Sequence, residues 1–133
     1  MTDTTRTTVT GDFDAVVEAT IDALGDEGFG VLTDIDMQAT FAAKLDEQFR
    51  QYRILGACNP SLAHKSLTEE IELGALLPCN VIVYEDGDSI VVAAVDPQQL
   101  VGLADNDALD PIASEVDDRL RRALDGLPDR VEA

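Results

Sequence analysis

The chain has 133 residues, 45% of them hydrophobic, and carries 27 acidic side chains against 9 basic ones for a formal net charge of −18. That length suits a single domain spanning residues 1–133 with a core of its own, and the apolar content is too high for intrinsic disorder. The charge opposes binding to a phosphate backbone, no apolar run approaches the ~20 residues of a membrane span, and the polar stretch Met1–Asp14 lacks the apolar core of a signal peptide. The expectation is a cytoplasmic protein that meets neither nucleic acid nor membrane.

Along the chain, Arg6–Thr10 is polar and β-branched, as an edge strand is. Asp12 has the character of an N-cap. Phe13, Val16, Val17, Ile21 and Leu24 then recur at helical spacing, predicting an amphipathic helix over 13–24 that Gly25 or Gly28 ends. Val31–Ile35 is a short strand. Asp36 can cap a second helix over 37–48, with Met37, Phe41 and Leu45 on one face. Tyr52–Ala57 is a strand, and Pro60 suits the first turn of a helix near 60–67. The apolar run Leu73–Leu77 is ambiguous between helix and strand. Asn80–Tyr84 and Ser89–Val95 flank Asp86-Gly87, a hairpin signal. Being apolar on both faces, these two strands should be central and covered on each side. Residues 98–109 form a loop or short helix. Asp110 as N-cap and Pro111 at the first helical position open a C-terminal helix with Ile112, Val116, Leu120, Leu124 and Leu127 inward.

The acid is mostly Asp, 18 against 9 Glu, evenly spread, and Lys occurs only at Lys44 and Lys65. Such a coat fits a salt-rich cytoplasm, where a Debye length of ~3 Å at 1 M screens self-repulsion. The chain therefore reads as halophilic. The cations are clustered. Lys44, Arg50, Arg53, His64 and Lys65 fall within 22 residues, none occurs from Ser66 to Asp118, and Arg119, Arg121, Arg122 and Arg130 close the chain. The central group either serves an anionic partner or pairs locally with Asp46, Glu47, Glu69 and Glu70.

Gly25, Gly28 and Gly30 are ordered wrongly for a dinucleotide loop, and neither a P-loop nor G-x-S-x-G occurs. Cys58, His64 and Cys79 could supply three zinc ligands, but their spacing matches no zinc motif, so no metal and no cofactor are expected. No catalytic residue is assigned, which leans against an enzyme. One coincidence stands out. The two cysteines are both followed by asparagine, Cys58-Asn59 and Cys79-Asn80, although the chain has only three asparagines. If the strands holding them are antiparallel neighbours, both pairs meet at one end of the sheet. A thiol near Arg53, His64 or Lys65 could be activated, and the amides could orient a small polar ligand. Equally, both cysteines could simply pack as small apolar groups and both asparagines satisfy the local backbone.

Tyr52-Arg53-Ile54-Leu55-Gly56-Ala57-Cys58-Asn59-Pro60 with Ala63-His64 and Leu67, then Ile71-Glu72-Leu73-Gly74, Leu76-Leu77-Pro78-Cys79-Asn80-Val81 and Val95-Asp96-Pro97, together resemble the domain of unknown function 302 family over nearly the whole chain. The resemblance implies an α+β fold, a curved antiparallel sheet with an N-terminal and a long C-terminal helix in a TBP-like β-α-β4-α arrangement, here with extra helices over 37–48 and 60–75. It implies no settled activity, and it is compatible with a homodimer. The reading that follows is a domain binding an unknown small molecule around Cys58, Asn59, Cys79 and Asn80, with Arg53, His64 and Lys65 supplying positive charge. The alternatives are a thiol redox or sulfur-handling protein, and an interaction module without a ligand.

Overall fold

The structure, a computed structural model, describes residues 4–132. Five strands, β1 (Thr4–Val9), β2 (Gly30–Asp36), β3 (Tyr52–Cys58), β4 (Cys79–Asp86) and β5 (Ser89–Val95), form one open antiparallel sheet in the order β1-β5-β4-β3-β2. The β4–β5 turn at Gly87 is the hairpin that Asp86-Gly87 predicts, with Gly87 at φ 61°. Six α-helices accompany the strands among the described residues: α1 (Phe13–Asp26), α2 (Met37–Leu45), α3 (Pro60–Glu69), α4 (Pro97–Ala104), α5 (Asp110–Asp125) and α6 (Leu127–Val131). No helix among the described residues is long and apolar enough to cross a membrane.

Short-range chemistry sets most helix starts. Asp12, Asp36, Asn59 and Asp96 each accept a backbone N–H of the first turn through a side-chain oxygen. Such a cap contributes about 1 kcal/mol. The start of α5 differs from the expectation. A 3₁₀ turn over Asp107–Leu109, itself capped by Asn106, runs directly into the helix, so Asp110 is the first helical residue and not a cap. The C-terminal helix also breaks at Gly126, and Leu127, fully buried as anticipated, belongs to the following short helix. The second helix stops at Leu45 because Asp46 turns left-handed. The ambiguous run at 73–77 lies largely in a 3₁₀ helix over Ile71–Leu76.

Helices α1, α5 and α6 layer one face of the sheet. Val16, Val17 and Leu24 of α1 and Leu120 and Leu124 of α5 bury against Leu55, Val81, Val83 and Val92. β4 and β5 are central, as expected, but the expectation of cover on both sides is not met. Register puts Ile54, Ile82, Tyr84, Val91 and Ala93 on the opposite face. There Val91 and Ala93 are shielded by larger neighbours, Ile54, Ile82, Tyr52 and Tyr84 are only half-buried, and Arg6, Thr8 and Asn80 are exposed. The apolar character of both strand faces therefore comes from one packed face and one open one.

Candidate functional site

Strands β3 and β4 are antiparallel neighbours, with Gly56 opposite Asn80 and Ala57 opposite Cys79. The last residue of β3, Cys58, and the first of β4, Cys79, therefore lie at the same end of the sheet. Helix α3 starts immediately after Cys58, and the 3₁₀ helix ends just before Cys79. Between these four elements is a cavity of about 310 Å³, at the lower end of the range for small-molecule sites. Its existence follows from side-chain size. Ala57, Cys58, Cys79, Ala63, Ser66 and Gly74 all face it, and none is large enough to close it. Phe29 and Val116 contribute to the wall from the α1–β2 turn and from α5. A β-bulge between Val31 and Thr33 leaves Leu32, 68% exposed, at the rim.

The lining holds no charged side chain among the described residues. Ser66 Oγ is committed to the Leu62 carbonyl at 2.8 Å. Asn59 Oδ1 accepts the Leu62 N–H at 3.2 Å and so caps α3. The other end of that amide lies against the α1–β2 turn. At Gly28, φ 87°, a Cβ would sit 3.0 Å from Asn59 Nδ2 and 3.1 Å from Arg119 Nη1. Neither thiol is in a disulfide, Cys79 being buried and Cys58 partly so. Burial, with a smaller contribution from the nearby Cys58, pushes the Cys79 thiol up to about 11. That thiol is protonated at neutral pH and acts as a weak, soft donor.

Three of the seven expected site residues, Cys58, Asn59 and Cys79, are brought together here. Four are not. Adjacent strand residues face opposite ways, so Asn80 lies exposed on the open face. Arg53 is five residues from Cys58, about 16 Å along the strand. Its guanidinium is held by Asp34, at 2.7 Å and 2.5 Å. That bond holds the Asp34 carboxyl below its ordinary range. His64 and Lys65 are exposed on the outer side of α3, along a shallow surface shared with Thr68 and Ile112. A wider groove of about 720 Å³ passes Asn59, Lys65 and Arg119, but Arg119 is engaged by Glu115 at 2.9 Å and by the Glu27 carbonyl at 2.9 Å. It is a solvent-open surface whose one arginine is already engaged, with little to hold a ligand. No cluster of three or more His, Cys, Asp or Glu suited to a metal occurs among the described residues.

An open-faced α+β sheet with a small apolar, thiol-bearing cavity at one end is the class of domain that this fold and site define. The chain belongs to the family described as Domain of unknown function DUF302, whose sequence profile matches residues 5–127. It is similar to a crystal structure of an uncharacterised conserved DUF302 protein from Bacillus stearothermophilus. That likeness has a TM-score of 0.87 and 29% identity and covers 94% of this chain and 98% of that one. Among curated proteins, no match is found.

Proposed function

We propose that this chain binds a small, neutral, largely apolar molecule in the cavity between the ends of β3 and β4, helix α3 and the 3₁₀ helix. The observation that carries the reading is the lining itself: about 310 Å³, partly open to solvent, lined mostly by apolar side chains and two thiols, with no charged group among the described residues to pair an ion. Burying an unpaired charge there would cost several kcal/mol, on the order of the penalties for uncompensated ions. Apolar surface, by contrast, gains about 25 cal/mol per Å² removed from water. Neutrality is thus the first specificity element. The thiols supply soft, polarisable contacts, and Asn59, fixed by its cap bond, keeps α3 at the correct height over the strand ends.

The thiol-chemistry alternative has weaker support. A nucleophile or redox thiol works as the thiolate, whereas Cys79 is displaced in the opposite direction. The cations that would activate Cys58 are directed elsewhere, Arg53 to Asp34 and His64 and Lys65 to the outer side of α3.

Native mass spectrometry of the purified chain, followed by release and identification of carried small molecules, tests the proposal. A neutral adduct is expected on the wild type and its loss from Ala63→Phe, which fills the cavity from α3. An adduct that survives Ala63→Phe, or one that is anionic, contradicts it.

A further inference from the structure

The open face of the sheet breaks the chemistry of the rest of the surface. The chain has 27 acidic residues, yet of the strand residues directed to this face only Arg6 and Asp86 are charged. Its centre is Ile54, Ile82, Tyr84 and Tyr52, all half-buried, over the small residues Val91 and Ala93. Tyr52 and Tyr84 stack at 5.5 Å with their planes 15° apart, and Arg6 Nη2 donates to Tyr84 Oη at 3.1 Å.

Helix α2 continues the same surface. Phe41 meets Phe49 edge-on at 5.0 Å, and Phe49 lies 6.1 Å from Tyr52, so an aromatic row links the helix to the sheet centre. This helix buries none of its residues. Nine residues are too few for a helix to be stable without tertiary packing. Three large apolar side chains of β2, α2 and the segment after it, Ile35, Leu45 and Phe49, are 43–63% exposed. A helix whose inner side, Met37, Thr40 and Phe41, is only half-buried, joined to a sheet face that carries just two charges, is a surface suited to being covered.

We infer that this face and α2 together form an isologous interface between two copies of this chain. Three observations favour a second copy as the occupant. The first is size. Five strands at ~4.8 Å spacing and ~20 Å length give a footprint of roughly 500 Å². The α2 segment extends it toward the ~800 Å² per partner of a standard stable interface. The second is charge. A nucleic acid would suit the aromatic row and Arg6, but a net −18 repels it. A second copy needs only its own weakly charged patch, which a two-fold axis brings to itself while leaving both acidic coats outward. The third is the edge. The outer strand β2 carries a bulge and the exposed acids Asp34 and Asp36, devices that oppose strand addition and direct association to the face.

Sedimentation equilibrium of the full chain in molar KCl tests the inference. The expected mass is twice the 14.3 kDa of the chain. Leu45→Asp and Ile82→Asp should each weaken association by about tenfold or more. Leu103→Asp, on α4 and 74% exposed, should leave it unchanged. Leu45 is 63% exposed, so its variant folds even if Ile82→Asp does not. A wild type that stays monomeric at about 100 μM overturns the inference. So does a dimer indifferent to Leu45→Asp and Ile82→Asp, or a monomer whose binding to a single-stranded oligonucleotide is lost in Tyr84→Ala.

Discussion

The buried thiol of Cys79 makes the cavity testable by pH alone. Its ordinary value is 9.0, and burial raises it to about 11 in the folded chain. Between those two values the unfolded chain has released the proton and the folded chain still holds it. Stability from this group is therefore fully present below pH 9 and lost as pH rises toward 11. At 1.36 kcal/mol per pH decade the loss approaches about 3 kcal/mol. The same displacement lowers reactivity. At pH 8 the native thiolate fraction is about one in a thousand, against about one in ten for the unfolded thiol, a hundredfold difference before any steric protection. Urea denaturation of the wild type and Cys79→Ala, both in a Cys58→Ala background, at half-unit steps from pH 7.5 to 10.5 measures the first effect, because subtraction then cancels the titration of the groups not coupled to Cys79. Iodoacetamide labelling with peptide mapping measures the second. A stability difference that stays flat across that range, or native labelling of Cys79 within a few-fold of the denatured rate, refutes the burial of Cys79 in the cavity wall.

Three further perturbations separate parts of the account. Asn59→Ala removes the cap of α3 and should cost about 1 kcal/mol, lowering the melting temperature by a few degrees. Asn80→Ala on the exposed face should stay within about 0.5 kcal/mol, so equal effects in circular-dichroism melts would argue against these placements. Gly56→Ala should cost about 1–3 kcal/mol in chemical denaturation. A Cβ there overlaps Thr33 Oγ1 and comes within 2.7 Å of the Pro78 ring, and a neutral result would mean that the two residues move apart freely. With a net charge of −18 the chain should melt at a higher temperature in 1 M KCl than in 0.1 M, as screening removes self-repulsion, and a salt-independent melt contradicts a halophilic surface.

What could be read from the sequence was decided by local chemistry or by strand pairing. Asp12 and Asp36 are caps because a short side-chain oxygen meets the backbone N–H three residues on, a relation contained within four residues. Asn59, whose sequence context leaves local backbone bonding and ligand contact both open, does the same for α3. The juxtaposition of Cys58 and Cys79 was legible because one antiparallel pairing fixes both. The misplaced site residues share a cause. Nearness in sequence is not nearness in space: the strand carries Arg53 away from Cys58, and the helix turns His64 and Lys65 outward. For Asn80 the two-residue period of a strand already separates it from Cys79. The remaining cavity wall was hidden for another reason. Gly74 and Leu77 flank the cavity from a 3₁₀ segment and its end, which has no amphipathic period, and Phe29 reaches it from a turn.

If the cavity receives a neutral apolar molecule, the neutral fluorophore N-phenylnaphthylamine should titrate into it. A saturable signal with one site per chain is expected, with protection of Cys79 from alkylation when the probe is bound and loss of both in Ala63→Phe while circular dichroism shows the fold retained. Probe binding that Ala63→Phe leaves unchanged, or no saturable binding by a chain whose Cys79 is nevertheless shielded, would contradict the proposed function.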